Sequence, residues 1–172
     1  MIKYPFFLLR RNLIKKLSQI KLIVSDVDGV LTNGDLGYAP GIAGLKSFNV
    51  KDGLAVKLLK SKGISLALIS GCDSEATKLR AKSLYIDECH TNIENKLITL
   101  KKIQNRLGIL PENTLYIGDD VNDLEVISEV AIFVVPKDCN YKVISKADLK
   151  LSTKGGEGVL REICDLIFKF KK

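Results

Sequence analysis

The sequence predicts an α/β protein: a Rossmann-like parallel sheet with helices on both faces and a β-hairpin flap after the first strand. Three observations carry this. Short apolar runs alternate with amphipathic stretches of helical period, the pattern of βαβ units. Those runs are apolar without a break, as strands buried on both faces require. Several of them end in a polar or acidic residue, and in such sheets ligands bind beyond the carboxyl ends of the strands.

The elements follow in order. Phe6, Leu9, Leu13, Leu17 and Ile20 recur at helical spacing, so residues 1–20 are read as a basic amphipathic helix ahead of a domain over 21–172. That opening has too short an apolar core and no small-residue cleavage site for a targeting peptide. "KLIVSD" (21–26) is a strand, and the glycine-rich stretch 32–50 is a flexible hairpin or flap. "KDGLAVKLLKSKG" (51–63) is a helix that Asp52 can cap and Gly63 ends. "ISLALIS" (64–70) is a strand, and 73–84 and 92–109 hold helices. "TLYIGD" (114–119) is a strand, followed by a helix from Val121 to Glu129 and a strand at 131–136. A short helix (141–147), a short strand ("DLKLS") and a final helix (157–170) complete the chain.

Charge and cysteines exclude some classes. The net charge of +7 suggests nucleic acid until it is located. Nine of the 27 basic residues lie in 1–21 and 169–172 with no acid among them, which leaves 18 basic against 20 acidic residues in the body. Two solvated basic ends explain this better than a binding groove. No apolar run approaches the roughly 20 residues that span a bilayer, so no stable membrane insertion is expected. The four cysteines are far apart with no CxxC, consistent with reduced thiols in a cytoplasmic protein. The single histidine, His90, has only Cys89 near it, which argues against a zinc site.

Chemistry concentrates at the strand ends. "KLIVSD" ends in Asp26, with Asp28 just beyond; "ISLALIS" ends in Ser70, then Gly71; "TLYIGD" ends in Asp119, followed by Asp120 and Asp123. Lys96 opens the helix between the last two strands. Acids converging on one pocket repel unless they share a cation, and oxygen ligands without imidazole or thiolate favour Mg²⁺. A lysine and a hydroxyl beside it suit a phosphate's remaining oxygens. Asp26 is placed to attack phosphorus as a carboxylate nucleophile. Asp28, two residues on, is placed to protonate the leaving oxygen and then to deprotonate water. Gly29 permits the tight turn between them and the metal.

Taken together, "DVDGVLT", "LALISG" with Ser70, Lys96 and "GDDVND" resemble the four motifs of the haloacid dehalogenase superfamily of phosphohydrolases. A finer resemblance rests on "DVDGVLTNG", "LKSFNVKDGLAVKLLKSKGI", "RAKSL", "YIGDDVNDLEVI" and "GGEGVLREICDLI". These are similar to the small cap-less phosphatases acting on 3-deoxy-D-manno-octulosonate (KDO) 8-phosphate, close kin of sialic-acid 9-phosphate phosphatases. The resemblance implies Mg²⁺ held by Asp26, the backbone carbonyl of Asp28 and Asp119, with Asp120 and Asp123 behind them. It implies phosphate on Ser70, Gly71 and Lys96. It implies a phosphorylated sugar acid contacted by Asn49, Val50, Lys51, Asp52, Gly53, Lys57 and Arg80. It also implies a homotetramer in which the flap at 33–48 helps close a neighbour's site. Cys72 stands where such proteins often carry arginine, Asn33 and Asn49 where Asp and His are expected, and Glu157 where a basic residue is common. These positions bear on the choice of sugar, not on the chemistry. Two readings from other classes compete: a receiver-like module that keeps phosphate as a signal, and a non-catalytic scaffold. The second acid, Asp28, favours turnover over the first, and the complete motif set argues against the other.

Overall fold

The computed structural model describes residues 11–40 and 42–170. Its centre is a six-stranded, all-parallel sheet. In chain order the strands are β1 (Leu22–Ser25), β4 (Ser65–Ile69), β5 (Glu88–His90), β6 (Thr114–Ile117), β7 (Ile132–Val135) and β8 (Leu149–Lys150). β2 (Gly37–Ala39) and β3 (Ile42–Leu45) form a separate antiparallel hairpin. The helices are α1 (Arg11–Ser18), α2 (Val50–Ser61), α3 (Glu75–Ser83), α4 (Lys96–Leu107), α5 (Tyr141–Ile144) and α6 (Val159–Phe170).

The strand order is β5-β4-β1-β6-β7-β8. The chain builds outward from β1 to one side, then returns and builds to the other. The switch point between β1 and β6 opens a crevice at the carboxyl ends of those strands.

Side-chain alternation explains the unbroken apolar runs. Ile23, Leu115 and Ile117 join one core with residues of α1, α2 and α6, such as Leu17, Val56, Leu59 and Ile163. Leu22, Val24 and Tyr116 join the other with Leu100 and Ile103 of α4 and with Val126 and Val143. Each of the four central strands, β4, β1, β6 and β7, thus feeds two cores, and their polar residues lie at the ends.

Several elements differ from expectation. The helix expected over 1–20 is described as Arg11–Ser18; Leu17 and the following Ile20 are fully buried, and Lys16 Nζ donates to the Ala131 carbonyl at 2.8 Å. The described part of this helix packs on the body, one of the two placements its amphipathic spacing allows; residues 1–10 lie outside the described residues. The segment Val121–Glu129 is 3₁₀ rather than α-helical. The cap of α2 is Asn49, whose side chain accepts from Lys51 N, and not Asp52. Asp52 is buried one turn on, and its Oδ1 accepts from Arg161 N at 3.1 Å, so it caps α6 from a different helix. Strand β5 has no counterpart in the sequence reading.

Candidate active site

β1 places its end between the ends of β4 and β6, with Ser25 level with Leu68 and Ile117. The next residue in each case, or the one after it, is a predicted site residue: Asp26, Ser70 and Asp119. Asp26 N continues the ladder to the Ile117 carbonyl at 2.8 Å, which fixes the aspartate at the mouth of the sheet. The chain then turns at Gly29 with φ +81. A Cβ there would lie 2.1 Å from Asp119 Oδ2, so only glycine lets Asp119 approach this turn.

A cavity of about 410 Å³ opens over these ends, lined by Asp26, Asp28, Gly71, Asp119, Asp120 and Asp138, among others. Beneath it the polar groups are tightly paired. Asp26 Oδ1 accepts from Val27 N at 2.6 Å, and its Oδ2 lies 2.9 Å from Lys96 Nζ. Lys96 is buried and donates to Asp123 Oδ1 at 2.7 Å as well. Burial favours its neutral amine, but Asp26 and Asp123 outweigh that and raise its pKa above the ordinary lysine value. Ser70 Oγ donates to Asp28 Oδ2 at 3.2 Å and accepts from Cys72 N at 3.1 Å.

The acids are crowded. Burial pushes the Asp119 carboxyl up to about 7, with repulsion from Asp26, Asp123 and Asp120 adding to it. Burial and Asp123 likewise push Asp26 up to about 6, against the pull of Lys96. Oxygens of Asp26, Asp119 and Asp123 all lie within 4.8 Å of one another. A divalent cation relieves this repulsion, and an all-oxygen donor set fits Mg²⁺. Asp123 has its acceptor positions filled. Oδ1 takes Lys96 Nζ and, at 2.8 Å, the Tyr116 hydroxyl. Oδ2 takes the backbone N–H of Asp119 at 3.0 Å and of Asp120 at 3.3 Å. It therefore orients Lys96 and Asp119, and Asp26 and Asp119 are the side chains left for the ion. Asp120 caps the 3₁₀ segment and accepts from Asn140 Nδ2 at 2.7 Å.

The residues expected to meet the sugar lie outside the lining of this cavity. Val50, Lys51 and Lys57 are exposed on α2, outside the cavity lining, while Gly53 is buried against the Arg80 guanidinium. Arg80 donates to the Asn49 carbonyl at 2.9 Å and sits over the Phe48 ring. Asn49 Nδ2 reaches the Gly156 carbonyl at 3.1 Å, and through it touches a loop lying on the Asp26–Thr32 turn. Within this chain that set braces α2, α3 and the loop before α6.

The sequence reading missed three residues. Asp138 lines the cavity and accepts from Gly155 N at 2.9 Å; Asn122 also lines it. Lys46, at the foot of the hairpin, donates to Asp28 Oδ2 at 2.8 Å and lies 2.7 Å from Oδ1. "VND" in the fourth motif could have flagged Asn122, but nothing in local pattern marks Lys46 or Asp138.

An acid pair after the first strand, a serine after β4, a lysine opening α4 and an acid cluster after β6, all on one edge of a parallel sheet, define a phosphohydrolase of the haloacid dehalogenase type. Residues 72–163 match the family described as haloacid dehalogenase-like hydrolase. The chain is 35% identical over 156 residues to the 3-deoxy-D-manno-octulosonate 8-phosphate phosphatase of Escherichia coli K12, covering 91% of this chain and 83% of that protein. The crystal structure of the Moraxella catarrhalis phosphatase of the same name, in complex with magnesium ion, phosphate ion and KDO, superposes with a TM-score of 0.89 at 35% identity, covering 94% of each chain. The Yersinia pestis enzyme of that name gives a TM-score of 0.90 at 32% identity, covering 94% of this chain and 87% of that one. The chain belongs to the haloacid dehalogenase-like hydrolases, in the family of the 3-deoxy-D-manno-octulosonate 8-phosphate phosphatases.

Proposed function

We propose that this protein is a Mg²⁺-dependent phosphatase that hydrolyses KDO 8-phosphate to KDO and phosphate through an aspartyl-phosphate on Asp26. The observation that carries this is the convergence of Asp26, Asp28 and Asp119 on one cavity, with Lys96 paired to Asp26 and Ser70 bonded to Asp28 from beneath it, in a chain 35% identical to an enzyme with that activity. An Asp26 oxygen forms a bond to phosphorus as the ester P–O bond breaks, and Asp28 gives its proton to the departing alkoxide. Asp28 then takes a proton from water as the water oxygen attacks phosphorus and the Asp26–phosphorus bond breaks. Lys96, held by Asp123, sets a fixed positive charge beside the phosphoryl oxygens, and Ser70 and the Gly71 backbone complete their cradle. Asp26, the Asp28 carbonyl and Asp119 would hold the Mg²⁺, which would supply further positive charge to the same oxygens.

A phosphate-release screen tests the substrate. KDO 8-phosphate should be turned over best, in a Mg²⁺-dependent reaction that EDTA stops. Because the cavity lining, among the described residues, offers Cys72 and no cation for a sugar carboxylate, the screen includes sialic-acid-type 9-phosphates. Preference for these moves the assignment to the nine-carbon sugars; preference for hexose phosphates or nucleotides overturns the sugar-acid reading. Asp26→Asn should abolish turnover in either case.

The hairpin, which exposes Leu36, Tyr38 and Leu45, supports an assembly of several copies. The protein acts as a homotetramer in which this hairpin closes the site of a neighbouring copy. The compartment is the cytoplasm, in keeping with four free cysteines. Among the described residues no helix is long and apolar enough to cross a membrane.

A further inference from the structure

Lys46 belongs to the hairpin, yet its ammonium sits on the acid that moves protons. It follows β3 by one residue, and its side chain is buried. It reaches across 18 positions of sequence to contact both oxygens of Asp28, at 2.8 Å and 2.7 Å. On the other side, Ser70 Oγ donates to Asp28 Oδ2 at 3.2 Å from the end of β4. The carboxyl is thus gripped between the sheet and the hairpin. Two residues past Lys46, Phe48 packs against the main core, and Asn49 caps α2. The return leg of the hairpin is therefore anchored where it meets the body, and Lys46 is the last residue but one before that anchor.

The geometry points to Lys46 as a positioning residue that aims the Asp28 carboxyl at the leaving-group oxygen, so that proton transfer depends on where the hairpin lies. This rests on the reading of Asp28 as acid and base. An untethered Asp28 carboxyl is free to turn among several rotamers, and a general acid contributes only while it is within hydrogen-bond reach of the departing oxygen. The charged hydrogen bond from Lys46 to Oδ2, with its ammonium also 2.7 Å from Oδ1, restricts that freedom. Oδ1 accepts no hydrogen bond and is the oxygen left to carry the proton. Ser70, a neutral donor to Oδ2 alone at 3.2 Å, leaves the carboxyl plane free to swing.

General-acid help matters in proportion to the basicity of the leaving group, which separates aim from mere integrity of fold. kcat/KM is sensitive to steps up to the first irreversible one, here formation of the aspartyl-phosphate. It is measured for an alkyl ester, KDO 8-phosphate, and for an aryl ester, p-nitrophenyl phosphate, whose leaving group departs readily unaided. Lys46→Met should lower the alkyl value about 100-fold and the aryl value less than about 10-fold, within the range that general acids supply. Lys46→Arg should restore the alkyl value to within about 10-fold. Asp28→Asn should show the same selective loss, and adding Lys46→Met to it should cost little more, since Lys46 acts through Asp28. The melting temperature of Lys46→Met verifies that it is folded, and Lys46→Gln serves if it is not. Equal losses on the two esters, or none, overturn the proposal, as does an additive loss in the double variant. If Asp28→Asn itself fails to discriminate between the esters, the acid role of Asp28 falls instead, and the proposal with it.

Discussion

The hydroxyl of Tyr116 lies at the bottom of the site, fully buried, and donates to Asp123 Oδ1, the same atom that receives Lys96. Burial, then the negative charge of Asp123, holds its pKa well above the ordinary phenol value, so it stays a donor throughout the working range. Asp123 needs this donor: with Lys96, Tyr116 and two backbone N–H groups attached, its carboxylate has one orientation. Tyr116→Phe removes the donor and keeps the ring stacked on Phe133 at a centroid distance of 6.2 Å. A hydrogen bond to a charged group is worth about 1.5–3 kcal/mol. We expect kcat to fall by up to about 10-fold with KM little changed, as steady-state kinetics will report. Asp119→Asn removes a charge from the metal-facing pair instead, and should raise the Mg²⁺ concentration for half-maximal activity by about 10-fold or more. Asp26, Asp28 and Asp119 were legible because they follow an apolar strand inside a longer acidic motif, whereas Asp138, alone in its loop after β7, was not. Lys46 was not, because a lysine in a glycine-rich loop looks solvated until the hairpin folds it onto Asp28.

Among the elements, α2 shows how a helix start can mislead. "NVKDG" offers two capping residues, and propensity alone does not separate Asn49 from Asp52. Tertiary packing decides: Asp52 turns inward and receives the first turn of α6. Burial pushes its carboxyl up to about 6, with the Arg161 and Leu160 backbone N–H groups pulling the other way. The native state therefore holds the proton more tightly than the unfolded chain, whose value is near 3.8. This contribution favours folding fully below that value and is lost as pH rises through about 6. Asp52→Asn keeps an oxygen for Arg161 and carries no charge to bury. Its stability relative to the parent should rise as pH goes from 4 to 7, by up to about 3 kcal/mol, in parallel thermal melts. The loop before α6 is constrained more sharply. A Cβ on Gly155 would lie 2.2 Å from the Gly29 carbonyl oxygen and 2.9 Å from that of Thr32, and backbone atoms there cannot retreat without moving the Asp26–Thr32 turn. Gly155→Ala should cost roughly 1–3 kcal/mol and depress turnover as well. The longer sheet strands were readable from their apolar runs. β5 was not, since "ECH" is three residues whose polar side chains pair locally: Glu88 with His90 at 2.9 Å and with Arg106 at 3.1 Å. The 3₁₀ winding of Val121–Glu129 was equally hidden, because apolar spacing over nine residues fits either helix.

At the scale of the whole molecule, the sheet supplies acids and a metal seat but little to hold a sugar acid's own carboxylate. Among the described residues no lysine or arginine lines the cavity; Lys96 lies beneath it, and Lys46 is engaged by Asp28. The hairpin next to this opening carries Leu36, Tyr38 and Leu45 with 39%, 72% and 54% of their surface exposed. Apolar residues gathered on a two-stranded ribbon, which is marginal by itself in water, need a partner surface. A second copy of the chain supplies one in the proposed tetramer, and closed symmetry lets each hairpin serve a neighbour. Placing charge on this ribbon tests the assembly and its link to catalysis together. Tyr38→Glu with Leu45→Glu should leave the fold of the body intact by circular dichroism, because neither side chain contributes to its core, and should lower its melting temperature only by what subunit association supplies. Sedimentation equilibrium should show a shift from tetramer towards monomer. If the hairpin is steadied by that contact, Lys46 loses its fixed position over Asp28 in the monomer, and kcat/KM for the alkyl ester should fall more than that for the aryl ester. An unchanged mass removes this face from the interface. A monomer with undiminished activity shows instead that each chain holds its hairpin, and its Lys46, without help.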